Sequence, residues 1–494
     1  MPTPAFSLPR QMLRRRPVSG APVAGEDSND LRRSLGVFQL TMLGVGATVG
    51  AGIFFVFPKA VPQAGPAVVF SFVMAGVAAG LTAICYAELA SAMPMAGSAY
   101  SYSYATLGEV MAVVVGACLL LEYGVSTAAV SVGWSQYLSK LSANVFGFSV
   151  PQSVSSAPWE SAGGVVNLPA IILVAMCAAM LVGGSSESAK VNAVMVVIKL
   201  GVLLMFAVIA ATAFTAHHFT EFMPFGVSGV SWAAGTIFFS YVGLDAVSTA
   251  GEEAKDPQHT IPRATIAALL IVTGVYVLVA VAAVGSQPWR DFEGQSAGLA
   301  VIVDNITGNR LGSTILAAGA VISIFSVTLV TMYSQTRILY AMGRDGLLPT
   351  TFAKVNPRTR TPVANTVIVA IVVAILAGLV PLHHLAEIVS IGALAAFIVV
   401  SVAVIVLRVR EPDLPRKFKV PGYPITPILS VAACGWILYS LHLYTWIALT
   451  AWVALALIFY LAWGRRHSAL DRGPKRRHGT GAASGEVIAD PAPE

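Results

Sequence analysis

Lys199 is the one lysine or arginine of this chain placed deep inside a hydrocarbon-length apolar run, residues 191–213 (VNAVMVVIKLGVLLMFAVIAATA). A charge at bilayer depth costs about 2.5–3.5 kcal/mol even on lenient insertion scales, so such a residue is by default functional and implies a partner. It lies roughly 13 Å of helix from the start of the run, too deep for easy snorkelling to an interface. Two roles stay open: a structural ion pair, or a titrating group whose proton is gained and lost as solvent access changes. A protonated ammonium can also stand in for a sodium ion between helices. Glu122, in LLLEYGVS, is the carboxylate expected to keep Lys199 charged or to share its proton, with a purely structural pair as the alternative.

The second stretch that could do chemistry is LGVGATVGAGIFF, where Gly44, Gly46, Gly50 and Gly52 interrupt an apolar span. Each glycine weakens a helix interior by roughly 0.5–1 kcal/mol, so the spacing predicts a broken helix, with GxxxG packing as the competing explanation. Unwound backbone is tolerated in a bilayer only where it faces protein or water. Freed amides at Thr48, Val49, Gly50, Ala51 and Gly52, beside the positive end of a half-helix, would favour a carboxylate. In FFSYVGLDAVSTAGEE, freed carbonyls from Phe239 through Ser240 to Val242 would suit an ammonium group. Together these form a zwitterion receptor made of backbone, indifferent to the ligand's side chain. Ser323, Ser326 and Thr328 carry hydroxyls that could face Lys199, though serine and threonine buried in spans more often bond their own backbone. Asp245 reads as a local cap or pair.

Composition says what must position these groups. The chain has 494 residues, 56% apolar and only 11% charged, with a mean hydropathy of +0.76, against about 25% charged residues in a typical soluble chain. An all-α polytopic membrane protein is expected. Spans need about 20 apolar residues, and twelve transmembrane helices are read at roughly 35–59, 67–92, 105–138, 166–184, 190–214, 230–250, 264–284, 313–342, 362–380, 385–407, 425–443 and 446–464. Cys85, Cys118, Cys177 and Cys434 fall in apolar runs without CxxC spacing and read as small buried hydrophobes, so neither disulfide nor metal nor other cofactor is expected.

With the N-terminus in the cytoplasm, only Lys59, Lys140, Arg290 and Arg310 of the 30 lysines and arginines fall outside and only Lys199 within the membrane. The positive-inside rule therefore puts both termini in the cytoplasm, and the net charge of +6 reflects orientation rather than nucleic-acid binding. Residues 1–34 read as a cytoplasmic tail and 465–494 as a disordered one. Transporters often contain two inverted halves, each opening with an interrupted helix. Here they would be residues 35–214 and 230–407, a five-plus-five repeat with discontinuous first and sixth helices, followed by two helices in 425–464.

On these residues the chain resembles the amino acid–polyamine–organocation superfamily, and within it the cationic amino acid transporter family and its bacterial proton-coupled relatives. The pieces that carry the resemblance are GVGATVGAGIF, YAELASAMPMAGSAYSYSYATLGE, LLLEYGVSTAAVSVGWSQYL, FFSYVGLDAVSTAGEEAKDPQHTIPRA and RILYAMGRDGLLP, in that order. The resemblance implies alternating access. It puts an amino acid's carboxylate at Thr48 to Gly52 and its amino group at the carbonyls of Phe239, Ser240 and Val242. It also implies proton coupling through Lys199 with Glu122 nearby. The expected function is amino acid:proton symport across the plasma membrane, with facilitation or exchange as the alternative. A small neutral substrate fits as well as a cationic one, since no spare acid for an arginine side chain stands out. A channel lacks a filter-like motif, and an intramembrane enzyme lacks a nucleophile or metal-ligand constellation. The partners expected are the amino acid, the proton and the bilayer.

Overall fold

Apolar runs of bilayer length have no water to satisfy their amides and so must close their hydrogen bonds internally, which makes helices the default. The computed structural model describes residues 14–15, 35–93, 95, 97–158, 163–183, 186–295, 298–359 and 361–470. Most are helical, and the strand-like pairings among them are two isolated bridges, Leu35 with Ala254 and Ser155 with Asn167.

In chain order the main helices are α1 (Val37–Thr48), α2 (Ala51–Phe55), α3 (Phe57–Ala64), α4 (Val68–Ala92), α5 (Ser98–Thr106), α6 (Glu109–Phe146), α7 (Leu168–Gly183) and α8 (Ser186–Thr212). There follow α9 (Gly226–Phe238), α10 (Ala246–Thr249), α11 (Pro257–Ser286), α12 (Gly298–Thr307), α13 (Arg310–Arg344), α14 (Val363–Leu379), α15 (Leu382–Arg410), α16 (Ile425–Tyr439) and α17 (Leu443–Phe459). Among the described residues nine segments are long and apolar enough to cross a bilayer. Of four shorter apolar helices, α7, α14 and α16 fall on expected spans, whereas α12 falls on none.

The long α6 packs against both α13 and α15, and α4 packs against α11 and α15, while α1 lies against α11, α8, α13 and α10. Every residue of α1 from Leu40 to Thr48 except Leu43 is buried. The outer surface is apolar, with Val77, Val194, Val208, Leu270 and Ile447 more than half exposed, as required of side chains facing lipid. All four cysteines are buried.

The structure differs from the sequence reading in two places. The third span begins at Glu109 and runs to Phe146, and the Ser/Tyr-rich stretch before it forms the separate, wholly buried α5. Residues 465–470, expected to open a tail, fold back onto the bundle: Ser468 is 1% exposed and hydrogen-bonded to Glu109. Most of the N-terminal tail and residues 471–494 lie outside the described residues.

Candidate functional site

The break in the first span falls where the glycines lie. α1 stops at Thr48, Val49 takes an extended conformation, and α2 restarts after Gly50. The sixth span breaks as well: α9 runs into a 3-10 turn at Phe239–Tyr241, Val242 is extended, and α10 restarts after Asp245. The two interruptions touch. A Cβ on Gly52 would lie 2.6 Å from the Cα of Ser240, and one on Gly50 would lie 2.4 Å from a methyl of Val327 on α13. Gly243 has φ +95°, and a Cβ there would meet the Ala47 carbonyl at 2.9 Å. Phe55 and Phe239 complete the contact, their ring centroids 5.6 Å apart.

Lys199 on α8 reaches into this junction with no exposed surface. Its ammonium donates to the carbonyls of Gly46 at 2.8 Å and Val49 at 2.7 Å. These belong to the C-terminal turn of α1, the partially negative end of a helix, where a cation is stabilised by both dipole and hydrogen bonds. The same face is pinned by Asn192, one end of whose amide donates to the Met42 carbonyl while the other accepts from Ser326.

Tyr276 of α11 is the residue that ties the two breaks together. Its hydroxyl lies 2.8 Å from both the Thr48 and the Ser240 carbonyls. Tyr276→Phe strips the donor from both while keeping the ring. Unfolding measured by scanning fluorimetry in detergent is expected to show a loss of about 1–3 kcal/mol, the cost of stranding buried carbonyls; an unchanged midpoint would mean that the hydroxyl contributes nothing to the junction.

Glu122 does not pair with Lys199. Neither of its carboxylate oxygens has a hydrogen-bond partner, and the lysine's ammonium is taken by the Gly46 and Val49 carbonyls instead. Depth within a span does not fix which way a helix turns a side chain, and α6 lays Glu122 against Gly392 of α15. Asp245 accepts from Ser98 at 3.1 Å through one oxygen, while its other oxygen is unpartnered. A small cavity beside it is lined by Ala79, Tyr86, Leu244, Ser248 and Phe397, among others. Glu122 and Asp245 thus both keep acceptor oxygens without a hydrogen-bond partner, and the sequence reading singled out only Glu122 as functional.

Of the hydroxyls on α13, Ser323 reaches the Val49 carbonyl at 3.5 Å, Ser326 serves Asn192, and Thr328 bonds its own helix at the Ile324 carbonyl. Ser323 and Ser326 thus join the lysine's surroundings and Thr328 does not. Sequence reasoning passed over Tyr276 and Asn192. The asparagine could have been noticed as an amide inside an apolar run, whereas a single tyrosine among valines carries no pattern.

The ends of the bundle are closed by polar contacts. At one, Lys140 pairs with Asp304 of α12 at 2.7 Å. At the other, the fully buried Glu88 accepts from Arg408 and from the Val420 amide. There too Tyr333 donates to Glu253, and Leu35 pairs with the backbone of Glu253 and Lys255.

A family model described as amino acid permease matches residues 35–463. The chain is 40% identical over 451 residues to a methylthioribose transporter of Bacillus subtilis, covering 91% of this chain and 97% of that protein. It is 39% identical over 463 residues to the branched-chain amino acid permease BcaP of the same organism, covering 93% and 99%. Human cationic amino acid transporter 4 is 34% identical over 400 residues, covering 79% of this chain and 63% of that protein.

Proposed function

The chain belongs to the amino acid permease family and is a multi-pass membrane transporter rather than an enzyme; on that footing we propose that it imports an amino acid with a proton across the plasma membrane by alternating access. The observation that carries this reading is the contact of the Lys199 ammonium with the Gly46 and Val49 carbonyls at the broken end of α1. An amine that caps one half-helix while charged ties its protonation to the geometry of the break, and the start of α2 across the gap offers amides to a carboxylate. The carbonyls at Phe239, Ser240 and Val242 would take the ammonium group. In the twelve-span reading, α7, α14 and α16 count as spans, residues 35–214 and 230–407 are inverted repeats each opening on an interrupted helix, and both termini are cytoplasmic.

The relatives are named for different substrates, methylthioribose, branched-chain amino acids and cationic amino acids, so the substrate class must come from this chain's own lining. Small residues and Phe397 beside the α10 segment suit a compact apolar side chain. The unpartnered oxygens of Asp245 and Glu122 support a second reading, a cationic side chain.

Purified protein screened for thermal stabilisation against all twenty amino acids identifies the ligand, since binding raises stability by about RT ln(1 + [L]/Kd). Uptake of that amino acid into proteoliposomes should then rise when the outside is acidified. Stabilisation by none of the twenty would remove the amino acid from this account, and uptake indifferent to the pH gradient would leave facilitation or exchange. Loss of lysine and arginine binding in Asp245→Asn, with neutral ligands unaffected, would select the second reading.

A further inference from the structure

All nine residues of α5, SAYSYSYAT, are buried, and a buried segment so rich in hydroxyls needs partners along its whole length. At its first residue, the Ser98 hydroxyl donates to Asp245 at 3.1 Å and accepts from Ser248 at 2.9 Å, both on the interrupted sixth span. In its middle Tyr100 donates to the Asp345 carboxylate at 2.8 Å. Near its far end, roughly 9 Å of helix away, the Tyr104 hydroxyl lies 3.4 Å from the Glu109 carboxylate and 3.3 Å from the Ser468 hydroxyl.

Ser468 itself donates to Glu109 at 3.0 Å, and the next residue's amide, that of Ala469, donates to the Asp345 carbonyl at 2.9 Å. The segment after α17 thus holds α5, the start of α6 and the turn after α13 together. It is tightly seated: Gly346, at φ +79°, has the His467 carbonyl so close that a Cβ would lie 2.2 Å from it. Glycine is the residue that fits both the conformation and the space.

We infer that residues 464–470 are a strap across the cytoplasmic end which, through α5, restrains the segment carrying Asp245 and must loosen before the inner side can open. The inference rests on the alternating-access reading. Opening must either part Asp245 from Ser98 or carry α5 along, and α5 cannot shift without breaking the contacts of Tyr104, Glu109 and Ser468.

The test is hydrogen–deuterium exchange of the peptide spanning residues 243–255, in nanodiscs and without any substrate, so a wrong assignment of substrate or coupling leaves it intact. Gly346→Ala, which displaces the strap, is expected to speed exchange of this peptide by about fivefold, the weight of one buried hydrogen bond, with peptides of α7 and α14 unchanged. Glu109→Cys with Ser468→Cys, joined by a short reducible bifunctional thiol reagent, should slow the same peptide and recover on reduction. Where Gly346→Ala does not fold, the cross-linked protein decides alone. Exchange at residues 243–255 that is indifferent to the cross-link overturns the inference, as does a Gly346→Ala change spread evenly over all peptides.

Discussion

Lys199→Ala is expected to reduce proton-driven accumulation in proteoliposomes at least tenfold, to the level seen without a pH gradient, while exchange of substrate across the membrane persists. The reason lies in what the ammonium touches. With its two carbonyl partners at 2.7 and 2.8 Å, the amine is the group at the α1 break that can carry a proton, and alanine leaves both acceptors stranded at about 1–3 kcal/mol each. A fall in stability is therefore expected alongside the loss of coupling, and the two must be separated. Lys199→Arg separates them, because a guanidinium keeps the charge and the donors but cannot release its proton. That variant should remain folded and bind substrate, yet its uptake should no longer respond to pH. Retained pH dependence in Lys199→Arg would move the coupling proton to another group, with Glu122 and Asp245 the first to examine.

Gly52→Ala is expected to weaken substrate binding more than a hundredfold, read as loss of ligand-induced thermal stabilisation. The added methyl would lie 2.6 Å from the Cα of Ser240, and a backbone atom cannot be rotated aside as a side chain can. The two interrupted spans would have to part, moving the α2 amides relative to the carbonyls of the sixth span, and misplacements of this scale commonly cost about two orders of magnitude. Gly274→Ala is the control. It sits inside α11 with nothing within 4 Å of the new methyl, so binding should be unchanged and stability slightly higher. Equal behaviour of the two variants would show that contact between the breaks has no part in recognition.

Much of this site was legible because two of its signals are one-dimensional. Four glycines crowded into one apolar run announce the break, and a lysine among valines announces itself whatever it faces. Contacts between spans are another matter. Glu122 and Lys199 both fall inside spans, which suggested a pair, but rotation about a helix axis is set by packing: α6 lays Glu122 against Gly392 of α15, while Lys199 takes carbonyls of α1. The buried α5 escaped for a related reason: serines and tyrosines give no apolar period, and the stretch is held by partners far away in the chain, Asp245, Asp345 and Ser468. The charges at residues 465 and 466 read as the start of a solvated tail, yet the turn after them folds inward to meet Glu109.

A phenol has a single hydrogen to give, and Tyr276 stands equidistant from two acceptors, one on each broken rod. The rods are thereby made rivals for it. A tilt of a few tenths of an ångström would award the hydrogen to one claimant and release the other, turning a small rigid-body displacement into an either-or choice over which carbonyl is left for an incoming amine.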